Sequence, residues 1–187
     1  MLVPSQLTDL SGTTHVWQLS FYTVIEDLLA YEKQLIDSYV QQLASNTLET
    51  FQDVQGDTVT TYTLVTKEAT GDRLIQEGDS LTYSCTVHLL DEVHMSDSLR
   101  KVSEEISQAI VFNPAQTGTP AGFLQGIQHL KAGNEAEIII PYAMAYGAAE
   151  QRTTNGKRIK IPSFSTLVYR VKVEKVVAAA TTGDETL

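Results

Sequence analysis

Hydrophobic positions near the start of the chain follow a helical period. From residue 23 to about Ala44, apolar side chains recur every three or four positions, and acidic and amide residues occupy the other faces. The apolar members are Ile25, Leu28, Leu29, Leu35, Ile36, Tyr39, Val40 and Leu43. The spacing predicts an amphipathic helix whose stripe is buried, either on its own domain or in a dimer with a second copy or another partner.

Beyond Gly56-Asp57 the period shortens to two. Residues 59–65 are rich in Thr and β-branched side chains, and residues 80–90 alternate strictly between apolar and polar side chains. Residues 166–177 also alternate, and residues 137–141 are predicted to form a further strand. Strict alternation predicts strands with one buried face and one solvated face, as in antiparallel sheets.

One short helix interrupts the strands. Over residues 122–131, Phe123, Ile127 and Leu130 share a face, and Gly133 suits the left-handed position that follows a helix. Because strands dominate around this helix, we predict an α+β fold with an antiparallel sheet.

The same patterns divide the chain into four parts. Residues 1–20 are rich in Ser, Thr, Gly and Pro without a clear period, so they are predicted to form a flexible arm. An N-terminal helical extension over residues 21–57 and one domain over residues 58–177 follow. Residues 178–187 are predicted to be a frayed tail.

Composition narrows the classes of function. The 187 residues include 42% hydrophobic and 19% charged side chains, as in a soluble globular protein. A net charge of -10 argues against a nucleic-acid partner, because phosphate binding needs a basic face. No segment approaches the roughly 18 apolar residues of a membrane span. Cys85 is the single cysteine, which excludes an internal disulfide and a four-cysteine zinc site.

A series of short motifs begins at residue 78. They are Gly78-Asp79-Ser80-Leu81, Leu89-Leu90-Asp91, Gly122-Phe123, Gly126-Ile127, Ala145-Tyr146-Gly147, Ile161-Pro162 and Thr166-Leu167-Val168-Tyr169. In this order, residues 78–177 resemble an FKBP-type prolyl isomerase domain. The resemblance implies an FKBP-like, strongly bent antiparallel β-sheet wrapped around the short helix, with an apolar pocket between them. It also implies proline-containing polypeptides as partners and no cofactor.

The reaction that the resemblance implies is rotation about an X-Pro peptide bond. Its barrier is about 18–20 kcal/mol, because resonance holds the amide planar and polar. The twisted transition state has lost that resonance, so an apolar, aromatic-lined pocket favours it over the planar form. A donor aimed at the substrate carbonyl fixes the pose, and acids and bases have little to do.

Four residues fall where the family places its pocket. Phe123 matches the aromatic floor, usually tryptophan, and Tyr146 matches the tyrosine whose hydroxyl donates to the substrate carbonyl. The resemblance implies that these two are catalytic. Ile161 and Tyr169 match an aliphatic wall and an aromatic wall, which implies that they bind substrate. Ordinary core packing is the alternative explanation for the same four side chains.

Other pocket positions depart from the family. Cys85 stands in place of a pocket tyrosine, Met95 in place of a phenylalanine and Ser96 in place of an aspartate. Pro120 removes a backbone donor ahead of the helix. Cys85, Met95 and Pro120 remain the candidate substrate-binding positions at these sites. We therefore expect a prolyl isomerase or folding helper with reduced activity. The alternative is a non-catalytic FKBP-like module that binds protein.

The helix ahead of this domain also resembles bacterial envelope lipoproteins with degenerate FKBP-like domains. That resemblance implies a periplasmic or membrane-tethered chaperone whose leader and lipid-bearing cysteine are absent from this sequence. No leader follows Met1, so the cytoplasm is the other expectation. Residues 148–160 carry four basic side chains, and contact with a partner is a hypothesis for this loop.

Two other chemistries are set aside. His88 and His94 could share a strand face, but no third His or Cys has the spacing of a metal ligand, so no metal is expected. Cys85 and His88 fall on opposite faces of one strand, which excludes them as a nucleophile pair.

Overall fold

The computed structural model describes residues 3–8, 14–19, 25–44, 49–55, 59–69, 71–91, 99–152, 156 and 159–179. The chain divides into two compact units, Met1–Tyr31 and Glu32–Leu187.

The first unit contains two paired strands. β1 is Val3–Thr8, β2 is Thr14–Leu19, and the two are antiparallel with Val3 opposite Leu19. The prediction of a flexible arm over residues 1–20 is wrong for these two stretches. Both strands mix apolar residues with Ser, Thr and Gln, so period-two alternation is too weak to reveal them, whereas backbone pairing needs no side-chain pattern.

The amphipathic helix α1 is Leu28–Ala44, which confirms the prediction and shortens it. Asp27 fixes the start, because its Oδ1 accepts a hydrogen bond from the Ala30 amide at 3.0 Å. An aspartate at this position satisfies an amide that has no partner within the helix. The apolar period predicts a helix that begins near residue 23, because periodicity does not reveal a capping residue.

The second unit carries a large antiparallel sheet and a short helix. Its elements are β3 Glu49–Gln55, β4 Val59–Lys67, β5 Ser80–Leu90, β6 Arg100–Lys101, β7 Ile106–Val111, α2 Ala121–Ile127, β8 Glu135–Ile140, β9 Gln151–Arg152, β10 Ile159–Ile161 and β11 Thr166–Val177. The main sheet runs β3-β4-β8-β11-β5-β6 with β7 also on β5, and β9 pairs with β10. These elements confirm the predicted α+β class.

The sheet begins earlier in the chain than the sequence predicts. β3 lies inside the stretch 21–57 that was predicted as a helical extension, and it pairs with β4 from Glu49 opposite Val65 to Gln55 opposite Val59. Its sequence, ETFQDVQ, lacks strict alternation and gives no strand signal. The formation of β3 therefore depends on its pairing with β4 and not on a local sequence pattern.

Helix α2 lies close against the inner face of the sheet. A Cβ on Gly126 would lie 2.3 Å from Cγ2 of Ile138, and a Cβ on Gly122 would lie 2.5 Å from Cγ2 of Ile140. Glycine at these two positions permits the close approach of helix and strand. Register shifts between Val173 and Lys175 interrupt the ladder of β11 with β5, and such irregularities bend strands.

Helix α1, from Glu32 onward, covers the outer face of the same sheet. The Tyr39 hydroxyl donates to Oε2 of Glu137 on β8 at 2.7 Å. Oε1 of Glu32 accepts hydrogen bonds from the Tyr142 amide at 2.6 Å and from the Thr166 hydroxyl at 2.5 Å. Both faces of the sheet are therefore covered, one by α2 and the other by α1.

From Leu35 to Tyr39 the apolar stripe of α1 is buried within the second unit. Leu35, Ile36 and Tyr39 are at most 7% exposed, and the outward-facing Ile139 and Val168 are fully buried. The expectation of one solvated sheet face is thus wrong at the centre of the sheet, because α1 replaces water there. No helix in the described part of the chain is both long and apolar enough to cross a membrane.

Candidate active site

A pocket of about 160 Å³ opens between α2, the inner face of β5 and β11, and the segment that follows β8. Six of the seven residues predicted for the site line this pocket: Cys85, Pro120, Phe123, Tyr146, Ile161 and Tyr169. Met95, the seventh, and the neighbouring Ser96 lie outside the described residues.

Phe123 forms the floor of the pocket. It projects from α2, is 1% exposed, and lies between two tyrosines. Its ring centroid is 4.8 Å from that of Tyr169 and 5.6 Å from that of Tyr83, both in tilted arrangements. Such tilted pairs are favourable for aromatic rings, so the three side chains form one rigid aromatic cluster.

Tyr83 is a wall residue that sequence reasoning missed. It lies two positions before Cys85 on β5, so both side chains face the pocket. Its hydroxyl donates to Oε1 of Gln108 at 2.9 Å, and burial raises its pKa to about 12. The alternation of β5 already placed Tyr83 and Cys85 on one face, and this was the signal that could have found it.

Tyr146 lies at the pocket on a tightly turned segment. A 3-10 helix, Tyr142–Met144, follows β8, and the amides of Ala145 and Gly147 both donate to the Tyr142 carbonyl, at 3.1 and 2.8 Å. Gly147 has a φ of 61°, a conformation that favours glycine. The backbone amides on either side of Tyr146 are therefore both held by the Tyr142 carbonyl.

The Tyr169 hydroxyl is hydrogen-bonded to Tyr146. Burial first, and then the charge of the neighbouring Tyr146 and this hydrogen bond, raise the pKa of Tyr169 far above its usual range. A Tyr169 hydroxyl that stays protonated can donate to Tyr146.

Cys85 contributes a neutral thiol to the wall. It is 5% exposed, and burial raises its pKa to about 11, with a smaller contribution from the charge of Glu105. A protonated thiol is a poor nucleophile, so Cys85 acts here as a small apolar side chain. It fills much less of the pocket than an aromatic ring.

Pro120 and Ile161 complete the apolar rim. Pro120 precedes α2, and its carbonyl accepts hydrogen bonds from the amides of Phe123 and Leu124 at 3.0 and 3.3 Å. It has no N–H to offer a bound peptide. Ile161 is 6% exposed at the end of β10.

Polar groups near the pocket, as far as the structure describes them, do not form a metal site. Among the described residues, no three His, Cys, Asp or Glu side chains are grouped so that they could hold a metal ion. His88 lies on the outer face of β5, within 3.0 Å of the Thr86 hydroxyl, and burial lowers its pKa. In the basic loop, Arg152 pairs with Glu150, whereas residues 153–155, 157 and 158 lie outside the described residues.

The geometry supplies a pocket with an aromatic floor and aromatic walls and with the Tyr146 hydroxyl beside them, and its lining also includes the polar side chains of Ser103, Gln108, Thr119 and Lys160. Its aromatic part has the character of a site for a small apolar ring.

Comparisons with known proteins agree with this geometry. A computed comparison with solved structures finds a peptidyl-prolyl cis-trans isomerase from Pseudomonas syringae pv. tomato, with 15% identity, a TM-score of 0.53, and coverage of 85% of this chain and 100% of that chain. It also finds FkpA from Escherichia coli, with 18% identity, a TM-score of 0.47, and coverage of 81% of this chain and 63% of that chain. At 15% identity, the likeness to the Pseudomonas protein is one of fold. No curated protein sequence matches the chain.

The family model described as FKBP-type peptidyl-prolyl cis-trans isomerase matches residues 71–174, which is more than half of the chain. This range contains the pocket residues on β5, α2 and β11 and the segment that carries Tyr146. The chain therefore belongs to the FKBP-type peptidyl-prolyl cis-trans isomerase family.

Proposed function

We propose that this protein isomerises X-Pro bonds of polypeptides in the pocket above Phe123. The observation that carries the proposal is the aromatic cluster of Tyr83, Phe123 and Tyr169, with the Tyr146 hydroxyl beside it. The proline ring enters the apolar box, and Tyr146 donates a hydrogen bond to the substrate carbonyl.

Catalysis in this pocket comes from a difference in binding. The planar amide is polar and well solvated, whereas the twisted amide has lost its resonance and is better suited to an apolar cavity. Each 1.36 kcal/mol of preference for the twisted form gives about tenfold in rate. Tyr146 and Phe123 are the proposed catalytic residues, and Tyr169, Ile161, Met95, Cys85 and Pro120 the proposed substrate-binding residues.

We expect the activity to be lower than an all-aromatic pocket would give. Cys85 leaves one wall short, and Pro120 cannot donate a backbone hydrogen bond to a bound peptide. Both changes weaken the hold on the substrate, while the buried floor is retained.

Refolding limited by an X-Pro bond tests the proposal. Wild-type protein at rising concentrations should shorten the slow refolding phase of a proline-limited substrate protein, and Tyr146→Phe should remove most of the effect. Ile127→Val, on α2 but not lining the pocket, is the control for a general loss of stability. No acceleration at high concentration, with an intact fold, would reject the enzyme.

A second candidate function is binding of polypeptides without isomerisation. The small Cys85 wall favours it, because a looser box can hold an apolar side chain without distinguishing planar from twisted amides. Binding of a proline-containing peptide that depends on Phe123, together with unchanged refolding rates, would support this module over the enzyme.

Location and assembly are also proposals. The resemblance to envelope lipoproteins supports a periplasmic chaperone, and fractionation of cells that express the full-length protein tests it.

A dimer through the N-terminal helix would have to use Ile25 and Leu29, which are 44% and 46% exposed, because Leu35 and Ile36 are buried. Mass measurement by light scattering, on wild type and Leu29→Glu, tests the dimer.

A further inference from the structure

Glu32 is a buried carboxylate on α1 that the pocket chemistry does not use. It is 5% exposed, and its Oε1 accepts both the Tyr142 amide at 2.6 Å and the Thr166 hydroxyl at 2.5 Å. Its pKa is raised, because burial, the largest effect, outweighs the two hydrogen bonds that lower it. Burying a charge without a counter-ion is costly, so two strong donors at one oxygen indicate a specific role.

The first donor connects Glu32 to the segment that carries Tyr146. Tyr142 donates its amide to Glu32, and its own carbonyl accepts the amides of Ala145 and Gly147 at 3.1 and 2.8 Å. These two residues flank Tyr146 directly. Two hydrogen-bonded steps therefore connect the helix on the outer face to the backbone on either side of the proposed donor.

The second donor connects Glu32 to the strand that carries Tyr169. Thr166 is the first residue of β11, and Tyr169 follows three positions later with its side chain on the inner face. Tyr169 in turn is hydrogen-bonded to Tyr146. One carboxylate oxygen thus fixes the two backbone segments whose tyrosines meet at the pocket.

We propose that Glu32 is a positioning residue that holds Tyr146 and Tyr169 in register from the opposite face of the sheet. The helix α1 then takes part in the isomerase site without touching the substrate. The inference rests on the proposed function for its kinetic consequences, while the structural link is measurable without any activity.

Glu32→Ala, Glu32→Gln and Tyr39→Phe are the matched variants. Glutamine keeps an oxygen acceptor at the same place, whereas alanine frees both donors. Tyr39→Phe removes another hydrogen bond between α1 and the sheet, the one to Glu137, which does not reach the Tyr146 segment. Tyr39→Phe therefore measures the effect of weaker packing of α1 on the sheet when the hydrogen bonds of Glu32 are kept.

The kinetic test compares kcat/KM for isomerisation of a short X-Pro peptide. Glu32→Ala should lower it about tenfold, since small displacements of a positioned group are costly in rate. Glu32→Gln and Tyr39→Phe should stay within about twofold of wild type. In a Tyr146→Phe background, Glu32→Ala should have little further effect. An equal loss in Tyr39→Phe, or an undiminished loss in the Tyr146→Phe background, would overturn the inference.

The second test needs no activity. NMR of ring-labelled tyrosines should show displaced Tyr146 and Tyr169 resonances in Glu32→Ala, and near wild-type positions in Glu32→Gln and Tyr39→Phe. If Glu32→Ala does not fold, Thr166→Val removes one donor and keeps the branched shape, and it should move the same resonances. Unmoved resonances would overturn the inference even if the isomerase proposal holds. If the protein has no isomerase activity, the NMR result alone decides whether Glu32 positions the two tyrosines.

Discussion

The Tyr169 hydroxyl is hydrogen-bonded to Tyr146 within the pocket. Hydrogen bonds in a chain polarise one another, so with Tyr169 as the donor the Tyr146 hydroxyl should become a better donor to a substrate carbonyl. Tyr169→Phe keeps the aromatic wall and removes only the hydroxyl. We expect roughly a threefold loss of kcat/KM from this variant, measured on an X-Pro peptide.

A double-mutant cycle separates this role from packing. Tyr146→Phe should cost about tenfold, because the substrate carbonyl loses its donor. With Tyr146 already changed, Tyr169→Phe should cost nothing more, since there is no hydroxyl left to polarise. Additive losses would mean that the Tyr169 hydroxyl acts on the substrate or the fold independently of Tyr146.

Phe123 should matter for the rate beyond its part in the core. Phe123→Leu keeps a large apolar side chain but removes the ring that packs 4.8 Å from Tyr169. We expect about a tenfold fall in kcat/KM, equivalent to about 1.4 kcal/mol of lost transition-state preference. Ile127→Val, buried on the same helix, should lower the unfolding free energy by about 1 kcal/mol and leave kcat/KM unchanged. Similar rate losses in both variants would make Phe123 a core residue only.

Gly126 should resist replacement although it lies in a helix. Alanine has the better helix propensity by about 1 kcal/mol, but its Cβ would lie 2.3 Å from Cγ2 of Ile138. We expect Gly126→Ala to destabilise the protein by about 2 kcal/mol in denaturant unfolding, as overpacking does. Ile138→Leu removes the clashing methyl and should recover part of the loss. A more stable Gly126→Ala would show that the helix can move away from the sheet.

Cys85 should be unreactive in the folded protein. With a pKa of about 11 and 5% exposure, its thiol is protonated and shielded at pH 8. Iodoacetamide should therefore label it slowly under native conditions and rapidly in denaturant, as followed by intact mass. Fast native labelling would mean that the wall formed by β5 opens readily.

The sequence predicts the parts of this fold that have a strong period. The bounds of β5 and β11 agree residue for residue with the predicted strands, because both alternate over more than ten positions. β1, β2 and β3 carry mixed polar sequences, so their pairing depends on partners that a local pattern does not reveal. The predicted floor and walls Phe123, Ile161 and Tyr169 meet in one pocket, and Tyr83 joins them because it shares the inner face of β5 with Cys85.

The link through Glu32 lies beyond any local pattern. Glu32 and Tyr142 are 110 positions apart, and Glu32 and Thr166 are 134 apart. The sequence pattern of an amphipathic helix predicts that a glutamate is exposed to solvent. Glu32 is buried because α1 packs on the sheet. Long-range burial of a polar group of this kind depends on tertiary packing, which a single sequence does not specify.

The buried carboxylate of Glu32 also gives stability a predictable dependence on pH. Burial, the largest effect, raises its folded-state pKa above the ordinary value of 4.5 that applies when the chain is unfolded. Between these two values the folded state binds a proton that the unfolded state does not, so this contribution to stability falls as pH rises through the window. Above the window the folded protein carries the cost of a buried charge.

Glu32→Gln removes that cost while keeping an acceptor for Tyr142 and Thr166. The unfolding free energy of Glu32→Gln should therefore exceed that of wild type by the largest amount near neutral pH. The advantage should shrink as pH falls through the raised pKa and level off below 4.5, where both states of the wild type are protonated. Denaturant unfolding of both proteins at matched pH values measures the difference, in which the other carboxylates cancel. A difference that is constant with pH would mean that the folded-state pKa of Glu32 is not raised, and a difference that grows on acidification would mean that it is lowered.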